Sequence, residues 1–195
     1  MQYIIGLDIS TAVVGITILD ENKTLIFAHA IETDPEHGFW QKMDQIEQEI
    51  TIMIKPFVGQ IKAVYVEQDL QMFRPGLSSA ATLTTLSKAN GIVSYMVRNI
   101  AGVDPNSLNV NAARASVGLK IIRKTKLNPN PPPTKAQVVA WVHKKERMMP
   151  WQYKTMKSGS RKGQQVEKKC NEDIADSYVI ALAGVVCSLD QKANS

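Results

Sequence analysis

Hydrophobic positions open the chain in short dense runs and later recur at intervals of three and four. The change of period separates strands from helices. Tyr3–Ile9 and residues 13–19 are runs rich in branched side chains, parted by a polar step, and a third run, 24–31, follows Asp20-Glu21-Asn22-Lys23. Three such runs joined by tight turns predict an antiparallel meander. Phe39, Met43, Ile46, Ile50 and Ile54 then fall on one helical face, which Pro56 ends. Ala63, Val64, Tyr65 and Val66 predict a strand covered on both faces, with Glu67 at its carboxyl end. Beyond Pro75-Gly76, Ser78 is placed to cap a long helix running to about Ile100. One side of it is small and polar (Ser79, Ala80, Thr84, Ser87, Asn90, Gly91) and another apolar (Leu83, Leu86, Val93, Val97).

The second half is less regular. Residues 108–110 predict a fifth strand, and Asn111 a cap for a short helix closed by Gly118. Residues 120–133 are basic and end in Asn130-Pro131-Pro132-Pro133, which no helix interior accepts. Thr134 is placed to cap a helix carrying Val138, Val139, Trp141 and Val142. Residues 148–169, polar, basic and interrupted by glycine, predict a mobile loop, and Asn171 a cap for a final, mostly apolar helix from Glu172 to about Leu189. The order βββαβαβαα predicts an α/β fold: a mixed five-stranded sheet, three strands antiparallel and then parallel ones, flanked by helices. The 195 residues form one domain, with basic loops at about 119–133 and 148–170.

Charge sharpens this outline. The net charge is +5, yet residues 119–169 hold 14 Lys or Arg against Glu146 and Glu167, a local balance of +12. The remaining 9 basic and 16 acidic residues leave −7 elsewhere. So polarised a chain predicts a cationic surface for a polyanion beside a separate acidic site, with nucleic acid as the partner and no membrane. The longest apolar run, residues 178–187, is ten long, short of the roughly 20 a spanning helix needs, and the first residues lack the basic region of a signal peptide. A cytoplasmic protein with two reduced thiols, Cys170 and Cys187, is the expectation.

Four carboxylates stand at the edges of core elements. Asp8 interrupts the apolar strand Ile4-Ile5-Gly6-Leu7-Asp8-Ile9, Glu67 ends the next buried strand, and Asp173 and Asp176 open the last helix on one face. Singly, each could be a turn or cap acid. Brought together they would form the all-oxygen donor set that Mg²⁺ prefers.

Gly6-Leu7-Asp8-Ile9-Ser10, Val66-Glu67-Gln68 and Glu172-Asp173-Ile174-Ala175-Asp176-Ser177 resemble motifs of the RuvC family of Holliday junction resolvases, in the ribonuclease H-like superfamily. The resemblance extends to Ala89-Asn90-Gly91-Ile92-Val93 and Lys135-Ala136-Gln137-Val138 and spans nearly the whole chain. It implies a metal-dependent endonuclease, with Asp8, Glu67, Asp173 and Asp176 as catalytic ligands of two Mg²⁺ ions, replaceable by Mn²⁺. It further implies action on branched DNA, four-way junctions above all, in recombination and repair, and the small residues Ala80, Ala81, Ala89 and Gly91 of the long central helix, suited to close helix pairing, favour a homodimer. Phe73 is the candidate stacking aromatic, with Arg74 beside it, and Arg114, Lys120 and Lys135 are candidate phosphate contacts. The basic segments add Arg123, Lys124, Lys154, Lys157, Arg161 and Lys162 as DNA-binding candidates. Residues 148–169 look like an insertion relative to the bacterial enzymes, as in a phage or organellar relative. The alternatives are a nuclease acting on RNA:DNA hybrids or other branched DNA, and a non-catalytic junction-binding protein. An actin-like or sugar-kinase ATPase shares the first motif but needs a second domain.

Overall fold

The computed structural model describes residues 1–68 and 79–193. In chain order the elements are β1 (Tyr3–Ile9), β2 (Val13–Asp20), β3 (Leu25–Glu32), α1 (Phe39–Ile54), a 3₁₀ turn (Lys55–Phe57), β4 (Ile61–Glu67) and α2 (Ala80–Ala101). They continue with β5 (Pro105–Leu108), α3 (Val110–Ser116), α4 (Thr134–Lys145), β6 (Tyr153–Thr155), β7 (Gln165–Glu167) and α5 (Asn171–Ala193). The main sheet has the order β3-β2-β1-β4-β5, antiparallel from β3 to β1 and parallel from β1 to β5. This is the mixed five-stranded sheet that the sequence predicts.

Strand alternation sorts the core into two layers. Ile5, Leu7, Ile16, Ile18, Val64 and Val66 face α1 and α2, where they meet Met43, Ile46, Ile50, Ala89, Val93 and Val97. Ile4, Leu19 and Tyr65 face the other way, onto α5 and its neighbours α3 and α4. The helix α5 crosses β1 and β2 at unusually close range. A Cβ on Gly6 would overlap the backbone of Ser177 and Ala181, and one on Gly15 the backbone of Asp173. These glycines let α5 lie directly on the sheet. A buried hydrogen bond fixes its position: the Ser177 hydroxyl donates to the Ile174 carbonyl and accepts from Thr17 Oγ1 at 2.8 Å.

Several predicted boundaries shift. The cap of α2 is Ser79, whose Oγ accepts from the Thr82 N–H. The fifth strand ends at Leu108, because Asn109 Oδ1 accepts from the N–H groups of Asn111 and Ala112 and so starts α3 one residue later. Asn111 is therefore inside the helix. The cap position of α4 is Pro133, with Thr134 as its first residue. Asn171 is the first residue of α5, and its side chain is spent on the Gln152 backbone, donating to the carbonyl and accepting from the N–H.

The largest difference lies in residues 148–169. Instead of a mobile loop, β6 and β7 pair as an antiparallel hairpin whose turn holds Gly159 and Gly163 at positive φ. Five of its six strand residues are exposed, so no hydrophobic alternation announces it. Its anchors are polar: Lys168 Nζ to Glu32 at 2.6 Å, His143 Nε2 to Glu167 at 3.2 Å, and the Gln152–Asn171 pair. The His143 ring also stacks on Trp151, with centroids 4.2 Å apart. Both cysteines are free, and burial pushes the Cys170 thiol up to about 11. Among the described residues no helix is long and apolar enough to cross a membrane.

Candidate active site

Parity places the first two acids. Ile4, Gly6 and Asp8 point to one face of β1, and Ala63, Tyr65 and Glu67 to the same face of β4, the side that carries α5. Leu7 pairs in register with Val66, so Asp8 and Glu67 are next-door neighbours at the carboxyl ends of parallel strands. The close seat of α5 on Gly15 brings its first turn, with Asp173 and Asp176, to that end of the sheet.

The four acids share one electrostatic environment. Burial, and then the charges of Asp176, Glu67 and Asp173, push the Asp8 carboxyl well above the usual aspartate range, against the opposing pull of Lys135. Glu67 is raised by burial and by Asp176, while Arg114, Lys135 and a hydrogen bond with Asp8 oppose the shift. Asp176 is raised by burial despite Arg114 beside it. Burial leads each of these shifts, and repulsion between the carboxylates adds to it.

Two cations already answer part of that repulsion. Arg114, on α3, donates from Nη2 to Asp176 Oδ1 at 3.0 Å, with both side chains nearly enclosed. Lys135, in the first turn of α4, donates to Asp173 Oδ1 at 3.0 Å and lies 3.8 Å from Glu172. Burial works against the Lys135 charge, but Asp173 and the other acids outweigh it and hold the ammonium above its ordinary pKa. With these pairs in place, no three His, Cys, Asp or Glu among the described residues close on one point as a metal cage. The donor chemistry nevertheless suits a hard divalent cation: oxygen only, and more negative charge than the two cations balance.

A cavity of about 190 Å³ opens beside Asp8 and Glu67, walled by Ser10, Gln68 and the first half of α2 through Leu83, Leu86, Ser87 and Asn90. Asn90 donates to the Glu67 carbonyl at 3.1 Å, and the Gln68 N–H donates to the Leu108 carbonyl at 2.8 Å, which secures this end of β4. The apolar face predicted for α2 divides here. Ala89, Val93, Val97 and Ala101 are buried, while Leu83 and Leu86 are half-buried along the cavity.

The predicted DNA-binding residues fall into three groups. Arg114 and Lys135 are drawn into the acidic centre. Lys120, Arg123 and Lys124 are exposed on the loop after α3, and Lys154, Lys157, Arg161 and Lys162 are exposed on the β6–β7 hairpin. Phe73 and Arg74 lie outside the described residues. Sequence reasoning missed the counter-ion roles of Arg114 and Lys135 and the tie from Asn90 to β4. The buried acids were the available signal for the cations, since such charges need partners.

The mixed sheet of this order, flanked by helices, is a ribonuclease H-like fold. Within that class, the chain has the fold of RuvC. It matches a Thermus thermophilus RuvC in complex with Holliday junction substrate at 14% identity and a TM-score of 0.62, covering 97% of this chain and 96% of the other. A second Thermus thermophilus RuvC structure matches at 15% identity and a TM-score of 0.61, covering 97% of each chain. No protein-family model matches the sequence, and no curated protein is significantly similar to it.

Proposed function

We propose that this protein is a divalent-metal-dependent endodeoxyribonuclease that resolves four-way DNA junctions by paired phosphodiester cuts. The observation that carries the proposal is the set of mutually repelling acids Asp8, Glu67 and Asp176, with Asp173, in a RuvC fold, Asp176 buried and the others half-buried. These four carboxylates would hold Mg²⁺, or Mn²⁺ in its place. A bound divalent ion activates water and stabilises the leaving oxygen of a phosphodiester. The chain's own contributions are distinct. Asn90 holds the Glu67 end of β4, and the exposed cations of the basic loop and hairpin neutralise backbone phosphates. Phe73 is proposed to stack on a distorted base step at the crossover, and Arg74 to pair with a neighbouring phosphate.

Two symmetric cuts call for two symmetric sites, and a twofold homodimer supplies them. The exposed face of α2 supports this. Ala80, Ala81 and Gly91 face away from the protomer's own core, and a Cβ at Gly91 would meet no atom within 4 Å among the described residues. Ala89, by contrast, is buried against α1 and the sheet, so it serves the protomer rather than a partner helix.

The test is incubation with Mg²⁺ and labelled four-way, three-way, flap, duplex and RNA:DNA hybrid substrates. Preferential paired nicking of the four-way junction is expected. Preferential hydrolysis of the hybrid's RNA strand would replace this reading with a ribonuclease, and binding without cleavage in either Mg²⁺ or Mn²⁺ would replace it with a junction-binding protein.

A further inference from the structure

A second cavity, of about 740 Å³, lies on the α3 and α4 side of the acidic centre. Its wall carries Arg114, Arg123, Lys124, Asn111 and Thr134, and the proline-rich turn 129–133 closes it. Among the described residues no carboxylate lines it, so it is cationic with no internal counter-charge. Arg114 is the shared wall between this cavity and the acids. Its Nη2 is engaged with Asp176, whereas its Nε is buried and has no hydrogen-bond partner among the described residues. Only 13% of the Arg114 side chain is exposed. A buried donor without an acceptor is uncommon, and a guanidinium presents its donors as a rigid fork suited to tetrahedral oxyanions.

Arg114 therefore has two anions within its chemistry. One is Asp176, which it already holds; the other would be any phosphate entering the cavity, where Arg123 and Lys124 supply further charge. Asp176 is also one of the proposed metal ligands, so a divalent ion and the guanidinium would draw on the same carboxylate.

Resting on the reading of the four acids as a metal site, we infer that Arg114 is an internal counter-ion that occupies Asp176 until a phosphodiester of the DNA backbone enters the adjacent basic cavity and draws the guanidinium toward itself. Phosphate and metal then bind cooperatively, each favouring the arrangement in which Arg114 has left Asp176. Linkage makes the effect reciprocal: whatever factor DNA adds to metal affinity, metal adds to DNA affinity. The protein is thereby protected from loading metal productively without substrate. Arg114 acts as a positioning residue, because its effect on the metal passes through Asp176.

The measurement is Mn²⁺ binding by the full chain, read from the paramagnetic signal of the free ion at constant ionic strength, without DNA and with a linear duplex, DNA alone being subtracted. Wild-type affinity should rise about tenfold with duplex, within the usual range of coupling between sites. Arg114→Gln should bind Mn²⁺ about tenfold more tightly than wild type without DNA and gain little from duplex. Because that variant strips a partner from a buried acid, a second one keeps the test secure. Arg123→Gln with Lys124→Gln, both exposed, should match wild type without DNA and lose most of the rise.

Sulfate in place of duplex separates the sources of the anion. A rise with duplex alone supports the polymer's phosphodiester as the occupant, and a rise with both supports a seat for phosphate-class anions in general. Equal Mn²⁺ affinity with and without duplex in the wild type, unchanged by the loop substitutions, overturns the inference. In that event, Mn²⁺ binding that Asp8→Asn abolishes leaves the metal-site reading standing; no Mn²⁺ binding under any condition removes both.

Discussion

Asp8 is the residue on which the proposed metal site bears most heavily. Its position on β1 makes it the most crowded of the four acids, raised first by burial and then by three neighbouring carboxylates. A folded-state pKa above the unfolded value means that the folded protein holds the proton more tightly. Stability therefore falls as pH rises past about 4, the ordinary aspartate value, and the loss is complete above the raised folded value. Glu67 and Asp176 shift in the same direction. The metal-free protein is thus expected to melt at a lower temperature at pH 8 than at mildly acidic pH, as far as these acids govern it. Mg²⁺ should restore more of the melting temperature at pH 8, where its ligands are charged. Asp8→Asn removes the charge while keeping the shape. It should raise the metal-free melting temperature at pH 8 by about 2–4 °C, the shift that 1 kcal/mol gives in a chain of this size. The same variant should reduce Mg²⁺-dependent cleavage by more than the about 10–100-fold that losing a supporting partner costs. Junction binding should be retained or tightened. Undiminished cleavage by Asp8→Asn would remove Asp8 from the metal site.

The β6–β7 hairpin and the loop after α3 are elements whose surface charge exceeds anything their own packing requires. Lys154, Lys157, Arg161 and Lys162 are exposed on the hairpin, while its anchoring falls to Lys168, Glu167, His143 and Asn171. Binding and folding are therefore separable in this element. Replacing those four cations by Ala should weaken DNA binding across all substrates and flatten its salt dependence, by about 0.9 in the log–log slope for each duplex phosphate that the variant no longer neutralises. Sequence preference in cleavage should survive, since phosphate contacts position the DNA without reading it. An unchanged slope would make the hairpin a solvated surface. This element also marks where the sequence stops being legible. The main strands and α1 are readable because one face is buried and alternation or a 3.6-residue period records it. Both faces of β6 and nearly all of β7 meet solvent, and their order comes from pairs such as Lys168 with Glu32, 136 positions apart, which no local pattern encodes. For the same reason Asp8, Glu67, Asp173 and Asp176 could be picked out as misplaced charges in apolar elements. Their partners Arg114 and Lys135 are readable as cations for phosphate, but no local pattern pairs either with an acid 38 to 62 positions away.

At the scale of the whole molecule, an acidic centre is joined to exposed basic segments, and α2 carries no buried side chain in its first nine residues, 80–88. The helix is held from Ala89 onward by its stripe against α1 and the sheet. Lys88 adds a tie to α1, its ammonium 4.5 Å from the Phe39 ring centre and 4.3 Å from that of Trp40. Gly91 stands in the middle of this helix, where glycine costs about 1 kcal/mol relative to alanine. Among the described residues nothing repays that cost, since the space over its α-carbon is open. Close approach of a second α2 would repay it. Gly91→Gln should accordingly leave the protomer folded, with a melting temperature equal to or above that of wild type at concentrations where both are monomeric. In light scattering at micromolar concentration the wild type should be a dimer and the variant shifted toward monomer. On a junction, the variant should produce single nicks in excess over paired cuts, because the second active site no longer arrives with the first. A variant that stays dimeric and cuts in pairs would move the twofold interface off this face of α2, and a monomeric wild type bound one per junction would remove the dimer altogether.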